Sequence, residues 1–293
     1  MKEWLQMINL SKKYGRIVAL DSLNLSLEEG ITLLLGPNGS GKSTIVSMAE
    51  GLTRPTRGEI LVTGLSPFFE PSKLFQKVTF IPERPTYFSS SKVIEFLFWY
   101  AKFKNSKLEE IKNMMSRFNI EKLYESNVSQ LSMGEMQLVE LAAALSCHSE
   151  YYVLDEPNAN VDPSMRLLMT SIFSEFSKKD KSSFLISSHI IDELLPVSDF
   201  IVNLRDGRLN GPGISVKARE TERIALIYST EPDNIYKVFI HSGLRVTRNG
   251  YVIVVEMENN TNILFNILND YLSVITNIKI IPKFEGVNRY EII

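Results

Sequence analysis

Between Gly36 and Thr44 the sequence reads GPNGSGKST, a spacing of glycines, one lysine and small hydroxyl residues suited to holding a polyphosphate. The glycines let successive backbone N–H groups turn toward an anion, and a helix beginning there adds the positive end of its dipole. Within the run, Gly36, Pro37, Asn38, Gly39, Ser40 and Gly41 make the turn, while Lys42 is placed to neutralise β and γ phosphates. The hydroxyl of Ser43, next to Thr44, is placed to ligate magnesium. A second run, YYVLDEP from Tyr151 to Pro157, ends four apolar residues in two carboxylates. A carboxylate at the carboxyl end of a strand beside a phosphate loop is where magnesium is held, often through water, which gives Asp155 that role. Glu156 is suited to orient or deprotonate an attacking water. In a third run, LSMGE from Leu131 to Glu135, Ser132 reads as a helix N-cap and Gly134 leaves the backbone open. That helix start is either a plain cap or a second grip on phosphate.

These side chains need elements to carry them. ITLLL ahead of the glycine loop reads as a buried strand and STIVSMAEGL after it as a helix. Short apolar or alternating runs predict further strands at Trp4 to Leu10, Ile17 to Leu27, Glu59 to Gly64 and Lys77 to Pro82. From about Val93 to Cys147 the pattern is helical, with three segments poor in glycine and proline. The block Val93 to Tyr100 has too many large side chains for one helix face and is expected mostly in the core, with Met114, Met115 and Met136 as core filler. A helix is expected over Met165 to Lys179, and SSFLISSH is a short strand with His189 just beyond it. GRLNGPG, Gly207 to Gly213, is the most loop-like stretch and the expected domain boundary. After it the order strand, helix, two strands around Asn249-Gly250, helix and strand is the βαββαβ split unit, an α+β domain of ferredoxin-like type.

Composition bounds the rest. A chain of 293 residues, 44% hydrophobic and 23% charged with a net charge of -2, has the makings of an ordinary globular core. Disorder and a strongly basic nucleic-acid arm are excluded as whole-chain readings. One cysteine, Cys147, cannot form an internal disulfide, and three histidines with it make a Cys/His zinc cluster unexpected. No apolar run approaches the roughly 18 residues of a membrane span; the best, Val93 to Phe103, carries Glu95 and Lys102. The start, MKEWLQMINLSKKYG, lacks a signal peptide's apolar core, so the chain is expected to stay where it is made.

In this order of motifs the sequence resembles the ATP-binding subunit of ABC transporters, over roughly residues 3 to 212 and in the exporter-like form with a C-terminal extension. The resemblance implies an α/β P-loop NTPase over residues 1–212: a RecA-like core, an antiparallel β subdomain and a helical subdomain at about 85–147. Residues 213–293 would form the small α+β accessory domain, either regulatory and dimer-stabilising or a packing appendage. The implied cofactors are ATP and Mg2+. Tyr14, otherwise mere turn punctuation, stands where the family places an aromatic on adenine; Asp155 and Glu156 match the Walker B aspartate and catalytic glutamate. Asp162 in NANVD looks like the D-loop residue that crosses to the opposite subunit, and His189 like the switch histidine on the γ phosphate. LSMGE is similar to the signature LSGGQ, with Met133 for a glycine and Glu135 for the glutamine, an added carboxylate facing a polyanion. Glu83 stands at the Q-loop glutamine, where it either offers an oxygen to magnesium or water or is an exposed strand-end glutamate.

Signature and phosphate loop of one chain are generally too far apart to hold one nucleotide. The resemblance therefore implies a homodimer or heterodimer of cassettes, head to tail, acting with separate transmembrane permease subunits. Part of Phe96 to Tyr100 would line the groove that receives them. The chain would sit in the cytoplasm, peripheral on the inner face of the membrane, with no direct nucleic-acid partner. The other reading is a soluble ATPase of the same superfamily acting on DNA, ribosomes or cluster assembly. Against it stand the absence of a long coiled-coil insertion and of a second cassette in the chain.

Overall fold

The computed structural model describes residues 2–84, 91–189, 193–209, 216–257, 261–271 and 273–284. Its contacts divide the chain into two units, Met1–Ser215 and Val216–Ile293. The start of the expected helical subdomain, 85–90, and the expected boundary residues 210–213 lie outside the described residues.

The first unit runs β1 (Glu3–Tyr14), β2 (Ile17–Glu28), β3 (Ile31–Leu35), α1 (Lys42–Ala49), β4 (Arg57–Val62), α2 (Pro71–Lys77) and β5 (Val78–Ile81). It continues through α3 (Val93–Lys104), α4 (Leu108–Arg117), α5 (Met133–Leu145), β6 (Tyr151–Asp155), α6 (Pro163–Glu175), β7 (Ser183–Ser187), β8 (Phe200–Arg205) and β9 (Arg208–Leu209). β2, β1 and β4 pair antiparallel as a three-stranded sheet. β8, β3, β7, β6 and β5 pair in parallel in that order. Parallel strands are covered on both faces and so read as continuous apolar runs. ITLLL, YYVLD and SFLIS do so, and every residue of β3, β6 and β7 is buried. The two sheets share a core in which Trp4 stacks on Tyr151, ring centroids 5.0 Å apart. Because the central strands run in parallel, the loops that follow β3, β6 and β7 leave from one end of the sheet.

The helical block differs from expectation at α3. Val93, Leu97 and Ala101 are buried, but Phe98, Trp99 and Phe103 are exposed, so the large aromatics are not mostly core. The cause is spacing: the one face that packs, at i, i+4 and i+8, carries medium and small residues, and the aromatics fall on the other faces. Lys104 at the end of α3 donates to the carbonyls of Phe75 and Val78 and to Thr79 Oγ1, each at 3.0 Å, fastening α3 to β5. Met114, Met115 and Met136 are buried. Three elements had no counterpart in the sequence reading: α2, a short helix opened by Pro71; β8, which pairs with β3 and extends the parallel sheet; and β9, which turns back on β8 within the stretch read as loop.

The second unit comprises β10 (Val216–Ser229), α7 (Pro232–His241), β11 (Val246–Asn249), β12 (Val252–Glu256), α8 (Thr261–Asp270) and β13 (Ile275–Phe284). Its strands lie in the order β13, β10, β12, β11 and pair antiparallel throughout. Ala225, Ile227, Ile253 and Val255 of one sheet face pack with Ile235, Phe239, Leu264 and Leu268 of the two helices. Among the described residues of both units no helix is long and apolar enough to cross a membrane.

Candidate nucleotide site

At the carboxyl ends of the parallel strands lies a cleft of about 510 Å³, lined by Tyr14, Ile17, Val18 and Ala19 on one side and the glycine loop on the other. Ten of the expected site residues line it: Tyr14, Asn38, Gly39, Gly41, Lys42, Ser43, Thr44, Glu83, Glu156 and His189. Gly36 is backed so closely by the Leu204 carbonyl that a Cβ there would overlap it, and its φ of 150° suits glycine. α1 starts at Lys42 with neither a side-chain cap nor an acidic residue in its first turn. Its leading N–H groups therefore remain available to an anion. Lys42 is only 6% exposed and folds back on its own loop, donating to Gly36 O at 2.7 Å and Pro37 O at 3.4 Å. Tyr14 is half exposed, with the Lys12 ammonium 4.8 Å from its ring centre.

The carboxylate pair is held from below. Ser187 Oγ donates to Asp155 Oδ1 and accepts from the Glu156 N–H at 3.1 Å. One hydroxyl on β7 thus ties together both acidic residues at the end of β6. Glu156, 8% exposed, has a φ of 49°, and its carbonyl accepts from Gln137 Nε2 at 2.9 Å and from Ala159 N at 3.0 Å. Its Oε2 is taken by His189, 3.1 Å from the backbone N and 2.7 Å from ring Nδ1. Its Oε1 lies 4.0 Å from Lys42 Nζ. The side chain therefore presents Oε1 to the phosphate-loop side of the cleft.

Ser132, Gly134, Glu135 and Asp162 are not in the lining of this cleft. Ser132 caps α5 and Glu135 closes a capping box: Glu135 N donates to Ser132 Oγ at 3.2 Å, while Glu135 Oε2 accepts from Ser132 N and Oγ at 2.9 Å each. Those two bonds hold the Glu135 carboxyl below the usual carboxylate range. A Cβ on Gly134 would overlap the Asn160 carbonyl, so the LSMGE and NANVD segments touch. Asp162 caps α6, accepting from Met165 N at 3.0 Å. Sequence reading missed two residues at this site, Ser187 and Gln137. Their one local signal was a polar side chain inside an apolar run, which when buried must find a partner.

A glycine loop between a strand and an uncapped helix, with a carboxylate pair two strands along the same parallel sheet, is the site of a P-loop nucleoside triphosphatase. The chain matches the family model for ABC transporters over residues 20–159. It is 31% identical over 206 residues to the tungstate uptake system ATP-binding protein TupC of Peptoclostridium acidaminophilum, covering 69% of this chain and 94% of that one. It is 29% identical over 210 residues to the SkfA peptide export ATP-binding protein SkfE of Bacillus subtilis strain 168, covering 70% and 87%. A solved ATP-binding subunit of an ABC transporter matches with a TM-score of 0.62 at 26% identity, covering 70% of this chain and 88% of that one. The ADP conformation of an ABC transporter's ATP-binding cassette matches with a TM-score of 0.60, also at 26% identity, covering 72% and 91%. The chain belongs to the family of ABC transporter ATP-binding subunits; it binds ATP and is an ATPase.

Proposed function

We propose that this chain hydrolyses ATP in a head-to-tail pair of cassettes and couples the pair's closure to substrate movement through separate transmembrane subunits, peripheral on the inner membrane face. The observation that carries the reading is Glu156, clamped through Oε2 by His189 while Oε1 faces the lysine of the phosphate loop. A carboxylate held in that way takes a proton from water at one defined oxygen.

The remaining roles follow from position. Backbone N–H groups from Gly39 to Thr44 and Lys42 bind the phosphates, and the ammonium exchanges the Gly36 and Pro37 carbonyls for phosphate oxygens. Tyr14, beside Ile17 and Val18 at the far side of the cleft, stacks on the base. The donor set fits magnesium: a hydroxyl at Ser43, a buried carboxylate at Asp155 whose Oδ1 is oriented by Ser187, and Glu83 at the cleft wall. When bound, the ion neutralises charge on the phosphate oxygens. His189 and Ser187 keep Glu156 and Asp155 in place, so little reorganisation accompanies the reaction.

Ser132, Gly134 and Asp162 lie outside the chain's own cleft, which supports a second cassette, identical or not, whose nucleotide they complete. ATP then contacts both halves through its γ phosphate and ADP does not, which biases the pair between closed and open. The relatives include an uptake and an export protein, so transport is proposed without a direction. The test is Glu156→Gln, assayed for ATP turnover and for dimerisation by size exclusion with and without ATP. Loss of turnover with an ATP-dependent dimer is the expected result; turnover at the parent rate with no dimer would falsify the mechanism.

A further inference from the structure

We propose that Gln137 is a positioning residue for hydrolysis: its side-chain amide holds the backbone of Glu156 and ties that general base to the helix bearing LSMGE. The inference rests on the reading of Glu156 given above.

Glu156 has a φ of 49°, in the left-handed region that a glutamate adopts only when its surroundings impose it. Four hydrogen bonds supply the constraint. Its N–H is shared by the Ser187 carbonyl and Ser187 Oγ, at 3.1 Å each. Its carbonyl takes the Ala159 N–H at 3.0 Å and Gln137 Nε2 at 2.9 Å. Gln137 is the member that comes from outside the strand ends. It is 1% exposed on α5, between the buried Met136 and Leu138, in a helix whose other buried side chains are apolar apart from the partly buried Glu140. A buried amide there has no packing rationale that a methionine or leucine would not meet better. What it supplies is a directed N–H at the carbonyl of the residue that sets the water.

The same helix touches this segment again four residues on, where Gly134 lies against the Asn160 carbonyl. Residues 156–160 are thus pinned to α5 at both ends. A shift of α5 when its capped start meets an opposing nucleotide moves both pins together. Gln137 therefore connects the part of the chain that serves the partner's site with the base that serves its own.

The test uses the full-length chain with MgATP. Gln137→Met keeps the volume and removes the donor; kcat should fall about ten- to a hundredfold, the loss expected for a misplaced catalytic group, while KM for ATP stays within about twofold. Gln137→Glu places a carboxyl in the same buried position, where burial keeps it protonated near neutral pH so that its O–H replaces the amide donor. It should recover most of the lost kcat at pH 6.5 and fall to the methionine level as pH rises and the proton leaves. Parent-like kcat in the methionine variant, or a glutamate variant no better than methionine at pH 6.5, overturns the proposal. Should the methionine variant fail to fold, the pH response of the glutamate variant decides alone. Glu156→Gln is run beside them. If it turns over normally the reading of Glu156 fails, whereas if it is inactive and Gln137→Met is not impaired, only the present inference does.

Discussion

Glu50, the residue that ends α1, carries a buried carboxyl whose pKa is pushed from its ordinary 4.5 to about 7, first by burial and then by the nearby Asp155 carboxylate. Its neighbour Glu140 on α5 is pushed to about 7 as well, by burial and then by Glu50. In the unfolded chain both titrate near 4.5, so across pH 4.5 to 7 the folded state holds protons that the unfolded state has released. Stability contributed by these groups is therefore complete below pH 4.5 and is lost as pH rises through about 7. For Glu50 alone the displacement corresponds to about 3 kcal/mol above pH 7, at about 1.4 kcal/mol per unit. Glu50→Gln removes the titration while keeping the shape. Its amide costs about 1 kcal/mol of burial at every pH. The variant should therefore match or fall slightly below the parent at pH 5 and exceed it by about 2 kcal/mol at pH 8.5. The chain has two tryptophans, Trp4 and Trp99, both in the first unit, so their fluorescence in urea reports on that unit without the second. A stability difference that stays constant with pH, or that narrows as pH rises, contradicts a raised pKa at Glu50.

Two further outcomes follow from other parts of the molecule. Glu135→Gln keeps the capping box, since either residue serves it, but removes a carboxylate held ionised beside Ser132. Thermal stability should be unchanged while the ATP concentration needed for dimerisation falls several-fold; a loss of stability without that fall sinks the idea. On α3, Trp99 is 62% and Phe103 75% exposed, so Trp99→Ser with Phe103→Ser should shift stability by no more than about 0.5 kcal/mol per site and leave the ATPase rate of the isolated chain intact. If the patch receives the membrane subunits, co-purification with them should be lost, and retention would exclude it from that interface.

The site was legible in the sequence wherever a short run carried both the chemistry and its support. LLLGPNGSGKST contains its own strand, turn and helix start, and YYVLDEP its own strand and carboxylates, so local reading placed Lys42 after one strand and Asp155 and Glu156 at the end of another, while β7 between the two strands is in neither run. The hairpin of β1 and β2 and the three central helices were legible for the same reason. What failed were inferences that depend on what lies opposite. Apolar richness in VIEFLFWY reads as core, yet which face of α3 packs is decided by the helices and strands it meets, and they take Val93, Leu97 and Ala101. β8 becomes recognisable through β3 beside it, and nothing within FIVNLR announces that partner.

The same limit governs the finer machinery of catalysis. Ser132 and Glu135 are spaced as a capping box, S-x-x-E, and that pattern was present in the sequence as plainly as the resemblance to LSGGQ. The structure uses it: the carboxylate turns onto Ser132, and the hydroxyl proton that a partner's phosphate would accept is already donated to Glu135 Oε2. A nucleotide arriving from the opposite cassette must win that proton from a carboxylate held below its usual range, and do so beside its negative charge. By contrast, the groups that hold Glu156 come from positions 137, 187 and 189, on a helix, a strand and a loop far apart in sequence. A motif names the proposed general base; what constrains that side chain is distributed over the fold. On the proposed pairing, closing this site is opposed locally at Ser132 and prepared in advance at Glu156, so substitutions at Glu135 should change ATP-dependent pairing and substitutions at Gln137 should change turnover.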